Sequence, residues 1–284
     1  MDYFDIQVRK IVKRALEEDL GWGDVTTDNI IPSDAQAEGS IVTRSGGIVC
    51  GVEVMKMVFV SVDSDLKVQV IMKDGERMCP DDVIALVAGS ASSILRGERV
   101  ALNLMQRMCG IATETARYVE AVRGLPVRIA DTRKTVPGLR VLDKYAVRTG
   151  GGINHRLHLG DGVLIKDNHL ALMNAKGISL KDVVSRIQRS SPRILSVEVE
   201  AKSVDEADAA AASGANTILL DNMNIETLKA SAAIIAGRSF IEASGGMTLD
   251  TVRGVAECGV DFISVGALTH SVKAMDLALD MKPL

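Results

Sequence analysis

The first part of the chain changes from a helical to a strand-like pattern of apolar residues. Apolar positions at helical spacing in IQVRKIVKRALEEDL predict an amphipathic helix that ends at Gly21 and Gly23. The stretches AEGSIVTRSGGIVCGVEV and LKVQVIMKDGERM have strand character, and Asp74-Gly75 predicts a hairpin turn in the second. A long helix is predicted for ERVALNLMQRMCGIATETARYVEAV. This order predicts a small α+β domain over residues 1–102.

Beyond residue 125, short apolar runs of β type recur, and alanine-rich helical stretches separate the later ones. The runs are VRIA, GVLI, ILSVEV, TILL, SFIEA and DFISV. Alternating strands and helices predict parallel strands joined by crossovers. A spacing of roughly 22 residues, which suits one βα unit of a barrel, separates the strand ends near Glu200, Asp221, Ser244 and Gly266. The pattern predicts an α/β barrel over residues 103–270.

One segment of the chain concentrates positive charge. Between Asp131 and Lys166, seven cations outnumber three acids, although the chain has a formal net charge of -4. A local positive patch favours a small anionic ligand over a polyanion. The candidates for binding a carboxylate or phosphate are Arg133, Lys134, Arg156 and Lys166. The remaining three cations are left open, because LRVLDKYAVRT also fits a helix with a solvated basic face.

Acidic residues stand at the ends of two successive predicted strands. Glu200 and Asp221 end neighbouring strands, and Glu198 shares a face with Glu200 because alternate strand residues point to the same side. Carboxylates that face bound phosphate favour Mg²⁺, a hard cation often held by one or two carboxylates and substrate oxygens. The alternative is that these acids balance Lys134 and Lys166, and both roles are compatible.

Glycine-rich loops follow the last two predicted strands. Barrels often bind phosphate there through backbone N–H groups, which makes phosphate-loop candidates of Ser244, Gly245, Gly246, Gly266 and Ala267. His155 fits either anion binding or a structural hydrogen bond. A different phosphate-binding barrel, such as an isomerase or aldolase, is an alternative in which Lys166 would form a Schiff base or act in acid–base catalysis.

Three features favour a cytoplasmic enzyme over a secreted, membrane or nucleic-acid-binding protein. The start, MDYFDIQVRK, has acids and no apolar signal core, and no apolar run approaches the roughly 18 to 20 residues that span a bilayer. The four cysteines lack metal-ligand spacing, which predicts buried, reduced thiols. An aromatic content of 3% leaves few surfaces on which nucleic-acid bases could stack.

Seven motifs follow one another along the chain: ERVALNLMQRMCGIAT, DTRKTVPGLRVLDKYAVRTGGGINHR, LIKDNH, VEVE, LLDNM, SGG and VGALTHS. Together they resemble the quinolinate phosphoribosyltransferase family, the decarboxylating nicotinate-nucleotide pyrophosphorylases. The resemblance starts at EDLGWGDVTT and covers almost the whole chain. It implies an N-terminal α/β sandwich, an incomplete α/β barrel, and a C-terminal tail, residues 271–284, that returns to the first domain. It also implies a homodimer, in some members assembled further into a hexamer.

The reaction implied by the resemblance joins quinolinate to phosphoribosyl pyrophosphate and needs Mg²⁺. The products are nicotinate mononucleotide, pyrophosphate and carbon dioxide, and the reaction serves NAD synthesis. This is the chemistry of a pentosyltransferase, a class of glycosyltransferase. The implied catalytic residues are Lys134, Lys166, Glu200 and Asp221.

The resemblance also assigns binding roles by position. The quinolinate carboxylates would meet Arg133, Lys134, His155 and Arg156. Lys166 would lie near both substrates, and Glu200 and Asp221 near the ribose and the metal, with the phosphate loop as given above. Arg99, which no pattern interprets, would reach into the partner's site. Two positions depart from the family: Trp22, where proline is frequent, and Cys109, where serine is common.

Two further readings compete with this one. The nearest is a ModD-type paralogue, a pyrophosphorylase-like protein associated with molybdate-transport genes. The intact cation motifs DTRKT and GGGINHR favour the quinolinate enzyme. The other is a non-enzymatic, anion-binding regulatory module, against which the acidic pair beside the phosphate loops argues.

Overall fold

The computed structural model describes residues 3–192 and 195–284. The chain divides into two compact units, each described here by itself. The first contains the described residues of Met1–Ala116, Thr135–Gly151 and Thr269–Leu284, and the second those of Arg117–Lys134 and Gly152–Leu268. The sequence-based boundary at residue 102 falls inside a helix that spans Ala91–Ala121.

The first unit combines antiparallel strands with helices, numbered along the chain. Its helices are α1 (Tyr3–Leu20), α2 (Val25–Ile30), α3 (Val52–Val62), α4 (Ala91–Ala121, the last five residues of which belong to the second unit) and α5 (Arg140–Thr149). Its strands are β1 (Gln36–Thr43), β2 (Gly47–Ile48), β3 (Lys67–Val70), β4 (Arg77–Met78), β5 (Val83–Ser90) and β12 (Leu277–Pro283). The main sheet has the order β12-β1-β5-β3, so the C-terminal strand pairs with β1.

The predicted hairpin at Asp74-Gly75 is wrong, because β3 pairs with β5 whereas β4 pairs with β2. The side chain of Asp74 explains the difference. Its carboxylate accepts the backbone N–H groups of Gly51 at 2.9 Å and Val52 at 3.0 Å, at the start of α3. A carboxylate at a helix N-terminus satisfies donors that have no intrahelical partner. The turn therefore caps the N-terminus of α3 and does not join two strands. The stretch GVEV, which had strand character in the sequence, lies at the start of α3.

Helix α5 buries five of its ten residues, and the reading as a solvated basic face is wrong for Lys144, which is only 3% exposed. Arg148 is exposed. Arg140 is half-buried, and its Nε donates to Thr135 Oγ1 at 3.0 Å. The helix lies within the first unit. Its three cations therefore belong to the first unit, whereas the other four cations of the segment belong to the second.

The second unit is built on one parallel sheet, as predicted. Its strands are β6 (Arg128–Ala130), β7 (Val163–Ile165), β8 (Val197–Ala201), β9 (Thr217–Asp221), β10 (Phe240–Ser244) and β11 (Phe262–Ser264). Its helices are α6 (Asp167–Asn174), α7 (Leu180–Ser190), α8 (Val204–Ala212), α9 (Ile225–Ile235), α10 (Val252–Ala256) and α11 (Ala267–His270, which crosses the unit boundary).

The strand order β6-β11-β10-β9-β8-β7 defines an incomplete barrel. All the pairings are parallel, and β6 and β7 stand at opposite ends of the order without pairing to each other. A single parallel bridge from Ala130 to Ile153 extends the sheet beyond β6. The α/β class, the incomplete barrel and the separate N-terminal domain predicted from the sequence are confirmed.

Two smaller expectations are also settled by the structure. Cys50, Cys109 and Cys258 are buried free thiols, but Cys79 is exposed, so the prediction of four buried thiols is wrong at that position. Across the described ranges, no helix combines the length and apolar character needed to cross a membrane.

Candidate active site

A cavity of about 520 Å³ opens at the carboxyl ends of the second unit's strands. Parallel βα barrels carry their catalytic groups at this edge. The cavity brings together ten of the predicted site residues: Arg133, Lys134, His155, Arg156, Lys166, Glu200, Asp221, Ser244, Gly245 and Gly246. Three predicted residues are not part of its lining: Gly266, Ala267 and Arg99.

Arg133 and Arg156 place two like charges beside each other in the cavity wall. The Nε of Arg133 is buried and has no hydrogen-bond partner among the described residues. Arg156 Nη1 donates to the carbonyl of Gly162 at 2.9 Å. Burial and the neighbouring Arg133 lower the pKa of Arg156. Since like charges and an unused buried donor are costly unless an anion meets them, this pair could hold an anion.

Asp131 explains why the two cation motifs meet. It directly follows β6 and is fully buried. One of its carboxylate oxygens accepts the backbone N–H of His155 at 2.8 Å, and the other accepts the amide of Asn154 at 2.7 Å. The segment Ile153–Arg156 is therefore fixed against the end of β6, where DTRK begins. Sequence reasoning gave Asp131 no role.

His155 makes a structural hydrogen bond at each ring nitrogen. Nδ1 accepts the backbone N–H of Arg156 at 2.8 Å, so Nδ1 is unprotonated in the neutral ring and Nε2 carries the hydrogen. Nε2 then donates to Glu198 Oε2 at 2.9 Å. The sequence left anion binding and a structural hydrogen bond open for His155, and the structure shows the hydrogen bonds. His155 also borders the cavity.

Two buried carboxylates lie behind His155. Glu198 on β8 and Glu242 on β10 are 7% and 5% exposed. An oxygen of each lies within 4.8 Å of the other and of His155 Nε2. Burial, and secondly the charge of Glu198, raise the pKa of Glu242 to about 7. By distance the trio could hold a metal ion, but a protonated Nε2 has no lone pair for one, so these hydrogen bonds disfavour metal binding there.

Glu200 and Asp221 offer oxygen donors that suit Mg²⁺. Glu200 is buried on β8, and Asp221 ends the neighbouring strand β9, so both carboxylates border the cavity as the sequence predicts. Asn222 Nδ2 donates to Asp221 Oδ2 at 2.8 Å and orients that carboxylate. The donor chemistry fits a hard cation that keeps some water and substrate oxygens in its coordination shell.

Glu200 is also ion-paired, and its pair with Lys166 is one that the alternative reading expected. Lys166 Nζ lies 3.5 Å from Glu200 Oε2. A second cation, Lys202, lies 4.0 Å from Glu200 Oε1 and forms an ion pair with Asp167. Sequence reasoning missed Lys202, although its position directly after the VEVE strand was a usable signal. Both lysines are about half exposed, so these pairs leave the acids accessible to a ligand.

The loop after β10 has a backbone that favours glycine. Gly245 and Gly246 have φ values of 93° and 59°, in the left-handed region that side chains disfavour. A Cβ on Gly245 would clash with the side chain of Asn222, whose own φ is 55° and whose N–H donates to Ser244 O at 2.9 Å. The ends of β9 and β10 are thus held in close contact.

Three predicted residues lie elsewhere. Gly266 and Ala267 follow β11, and Ala267 begins α11, while Ser264 at the end of that strand does border the cavity. Arg99 lies on α4, where its guanidinium is 3.4 Å from Glu98. Its role in a neighbouring subunit's site stays a prediction.

An incomplete parallel barrel that gathers cations, paired acids and a glycine loop at its carboxyl edge is the architecture of a barrel enzyme for anionic substrates. The particular family follows from comparison with known proteins. The model of the quinolinate phosphoribosyl transferase C-terminal domain matches residues 111–280, and that of the N-terminal domain matches residues 24–109. The chain belongs to the quinolinate phosphoribosyl transferase family, which confirms the resemblance.

Curated relatives and solved structures agree with this assignment. A probable nicotinate-nucleotide pyrophosphorylase (carboxylating) of Bacillus subtilis is 39% identical over 97% of this chain and 94% of its own length. The nicotinate-nucleotide pyrophosphorylase of Mycobacterium leprae is 42% identical, with 96% of each chain covered. The NadC structure from Streptococcus pyogenes superposes with a TM-score of 0.94 at 38% identity, over 100% of this chain and 99% of the other.

Proposed function

We propose that the protein transfers the phosphoribosyl group of phosphoribosyl pyrophosphate to quinolinate, with decarboxylation, and so forms nicotinate mononucleotide, pyrophosphate and carbon dioxide for NAD synthesis. It would thus act as a pentosyltransferase. The observation that carries the proposal is the pair Arg133 and Arg156, two adjacent guanidiniums with a buried donor unused by the described residues. A dicarboxylate satisfies both charges. The names of the relatives support the same reaction.

Quinolinate would bind along the cationic wall of the cavity. Arg133 and Arg156 present planar donor forks that suit carboxylates, and Lys134 adds a third charge at the cavity rim. His155 shapes the wall, because its Nδ1 fixes the backbone of Arg156 and its Nε2 is held by Glu198. Arg99 of a neighbouring subunit would complete the pocket.

Phosphoribosyl pyrophosphate would bind across the acids and the glycine loop. The backbone N–H groups of the β10 loop would hold the 5′-phosphate, together with the loop after β11, through Ser244, Gly245, Gly246, Gly266 and Ala267. Lys166, which borders the cavity beside Glu200, would orient both substrates. Glycine at position 245 permits the backbone to approach the phosphate closely.

Transfer would proceed by attack of the quinolinate ring nitrogen on the anomeric carbon as the bond to pyrophosphate breaks. Positive charge that develops on the ribose would be stabilised by the carboxylate of Glu200, and Asp221 would orient the sugar. Glu200 and Asp221 would hold Mg²⁺, partly through water and substrate, and the ion would neutralise charge on the departing pyrophosphate. Lys134 and Lys166 neutralise the remaining negative charge. We propose no covalent enzyme intermediate; isolation of a ribosylated enzyme would contradict this.

The remaining expectations concern assembly and location. We propose a cytoplasmic homodimer in which Arg99 completes the partner's site, as the family resemblance implies. Sedimentation would distinguish a dimer from a hexamer. Mixing an Arg99→Ala chain with a Lys166→Ala chain would test the shared site. Activity that returns in the mixed dimer supports it, and a mixture as inactive as its parents contradicts it.

Turnover tests the proposed function. Purified protein is incubated with Mg²⁺ and phosphoribosyl pyrophosphate, and quinolinate or nicotinate is added in parallel tubes while nucleotide and carbon dioxide are followed. Product from quinolinate but not from nicotinate is the expected result. Chelation of Mg²⁺ should stop the reaction, and re-addition should restore it. A folded protein that makes no product from either acid would contradict the proposal and favour the molybdate-associated paralogue.

A further inference from the structure

Glu242 stands between two cavities of the second unit. One is the active-site cavity at the carboxyl ends of the strands. The other, of about 250 Å³, is bordered by the first residues of three strands, Val163, Thr217 and Phe262, and therefore lies towards the opposite end of the sheet. The side chain of Glu242 borders both cavities, whereas that of Glu198 borders only the second.

The surroundings of Glu242 favour a protonated carboxyl. Its Oε1 is buried and has no hydrogen-bond partner among the described residues. Four groups face it from four segments: Glu198 of β8, His155, Ser264 of β11, and Asp131, which directly follows β6. The two acids and the burial raise the pKa of Glu242, His155 and Ser264 lower it, and the result is about 7. These surroundings therefore favour the protonated form of this carboxyl.

The proposed reaction needs a proton at this place. When carbon dioxide leaves, the bond between the ring carbon and the carboxylate breaks, and the electron pair remains on the ring carbon. A C–H bond must then form there. Arginine keeps its proton under ordinary conditions, so Arg133 and Arg156 can stabilise the charge but cannot neutralise it by proton transfer. Lys166 is the other cation to consider as a donor, but it is about half exposed and already forms an ion pair with Glu200.

We propose that Glu242 is the proton donor for the decarboxylation step, an inference that rests on the proposed function. The Glu242 O–H bond breaks as the ring C–H bond forms, and the side chain is left as a carboxylate. A proton from water then restores the acid through the second cavity. That cavity also borders Ser196 and Asp161, which are exposed to solvent, so water can reach the rear of Glu242.

The test compares Glu242→Gln with Glu198→Gln as a matched control, and kcat is compared on the low-pH plateau, where Glu242 of the control keeps its proton. Both acids are buried, lie close together and contact the second cavity, but only Glu242 borders the substrate cavity. Removal of a general acid is expected to lower kcat roughly 10²- to 10⁴-fold. Glu242→Gln should do so while the KM values for both substrates stay within about threefold, since general acid catalysis acts in the transition state. Circular dichroism and thermal unfolding check the fold of each variant.

The pH dependence of kcat separates proton donation from a structural role. In the wild type, kcat should fall as pH rises through the pKa of Glu242 in the enzyme–substrate complex, because the acid form donates. Glu198→Gln removes a like charge that raises this pKa, so the fall should move to lower pH. Glu242→Gln should lack that limb. Formate, a small acid, should partly restore kcat in Glu242→Ala.

Each outcome is decisive. If Glu242→Gln retains wild-type turnover and an unchanged pH profile, Glu242 is not the proton donor. The proposed function is not affected by that result. A loss of activity that formate does not rescue, with raised KM values, also overturns it in favour of a structural role. Absence of turnover in the wild type overturns the proposed function and the donor together.

Discussion

The buried carboxylate of Asp143 in the first unit is fully hydrogen-bonded, whereas three buried charged residues of the second unit each keep an atom without a partner among the described residues. In the first unit, Asp143 is fully buried and accepts two hydrogen bonds from Arg107, both at 2.8 Å, and one from the backbone of Val136 at 3.2 Å. In the second unit, three buried side-chain atoms lack hydrogen-bond partners within the described ranges, and they belong to Arg133, Glu198 and Glu242. No such atom occurs among the described residues of the first unit.

The difference separates a stabilising ion pair from a binding site. A buried charge with an unpaired hydrogen-bonding atom lowers stability. Its presence in the fold therefore needs a reason other than stability. Around Arg133 we propose that the explanation is an anionic ligand, and around Glu242 that it is a proton. The fully paired Asp143 needs neither. The comparison therefore predicts that a substitution at the fully paired Asp143 lowers stability. Substitutions at Arg133 or Glu242 should instead change substrate binding or catalysis.

The largest effect is expected at the paired site. Asp143→Ala should lower the free energy of unfolding by about 3–5 kcal/mol, because Arg107 would be left as a partly buried charge without its carboxylate. Denaturant unfolding measures this. The control is Asp208→Ala, which breaks the exposed pair with Arg238 and should cost about 1 kcal/mol or less. Equal losses at the two sites would remove the distinction.

Arg133→Ala is expected to weaken substrate binding without lowering stability. Loss of a bidentate carboxylate contact is worth about 1.5–3 kcal/mol, so the KM for quinolinate should rise or activity should disappear. Stability should be unchanged, because the Nε of Arg133 has no hydrogen bond to lose among the described residues. Arg128→Ala, at the exposed start of β6, the strand that precedes Arg133 in the chain, is the control and should behave like the wild type. Unchanged kcat and KM in Arg133→Ala would exclude Arg133 from the site.

A smaller effect is expected at the glycine loop. Gly245→Ala forces a side chain into a left-handed backbone and against Asn222, a strain of about 1–3 kcal/mol. The KM for phosphoribosyl pyrophosphate should rise more than that for quinolinate. Gly254→Ala on α10 is the control, since its Cβ would make an ordinary contact of 3.8 Å with Ile225. If the two substrates were affected equally, the loop would not be specific for phosphate.

The sequence predicts the barrel better than the first unit, for a physical reason. Each barrel strand is a short apolar run that ends in charged, polar or glycine residues, so pattern and chemistry coincide along the chain. The start of α3 depends on Asp74, a capping residue that follows it in the chain and contacts it only in the fold. The local pattern of apolar residues cannot reveal that contact. For this reason the predicted hairpin at Asp74-Gly75 and the strand character of GVEV were wrong.

The candidate site shows the same limit. Cations and acids at strand ends were found because their positions are visible in the sequence. Asp131 was missed because its function is to join two segments, and Glu242 because it lies inside SFIEA, a run classified as apolar. One signal was available: a lone carboxylate within an apolar strand is rarely buried without a reason.

The most direct test of the account is equilibrium binding to wild-type protein by titration calorimetry. The unused donor of Arg133 beside Arg156 predicts that quinolinate, with two carboxylates, binds at least about tenfold more tightly than nicotinate, with one, a difference of about 1.4 kcal/mol. Arg133→Ala should reduce this preference. Equal affinity for the two acids, or a preference that Arg133→Ala leaves intact, would contradict the assignment of this wall as a dicarboxylate site.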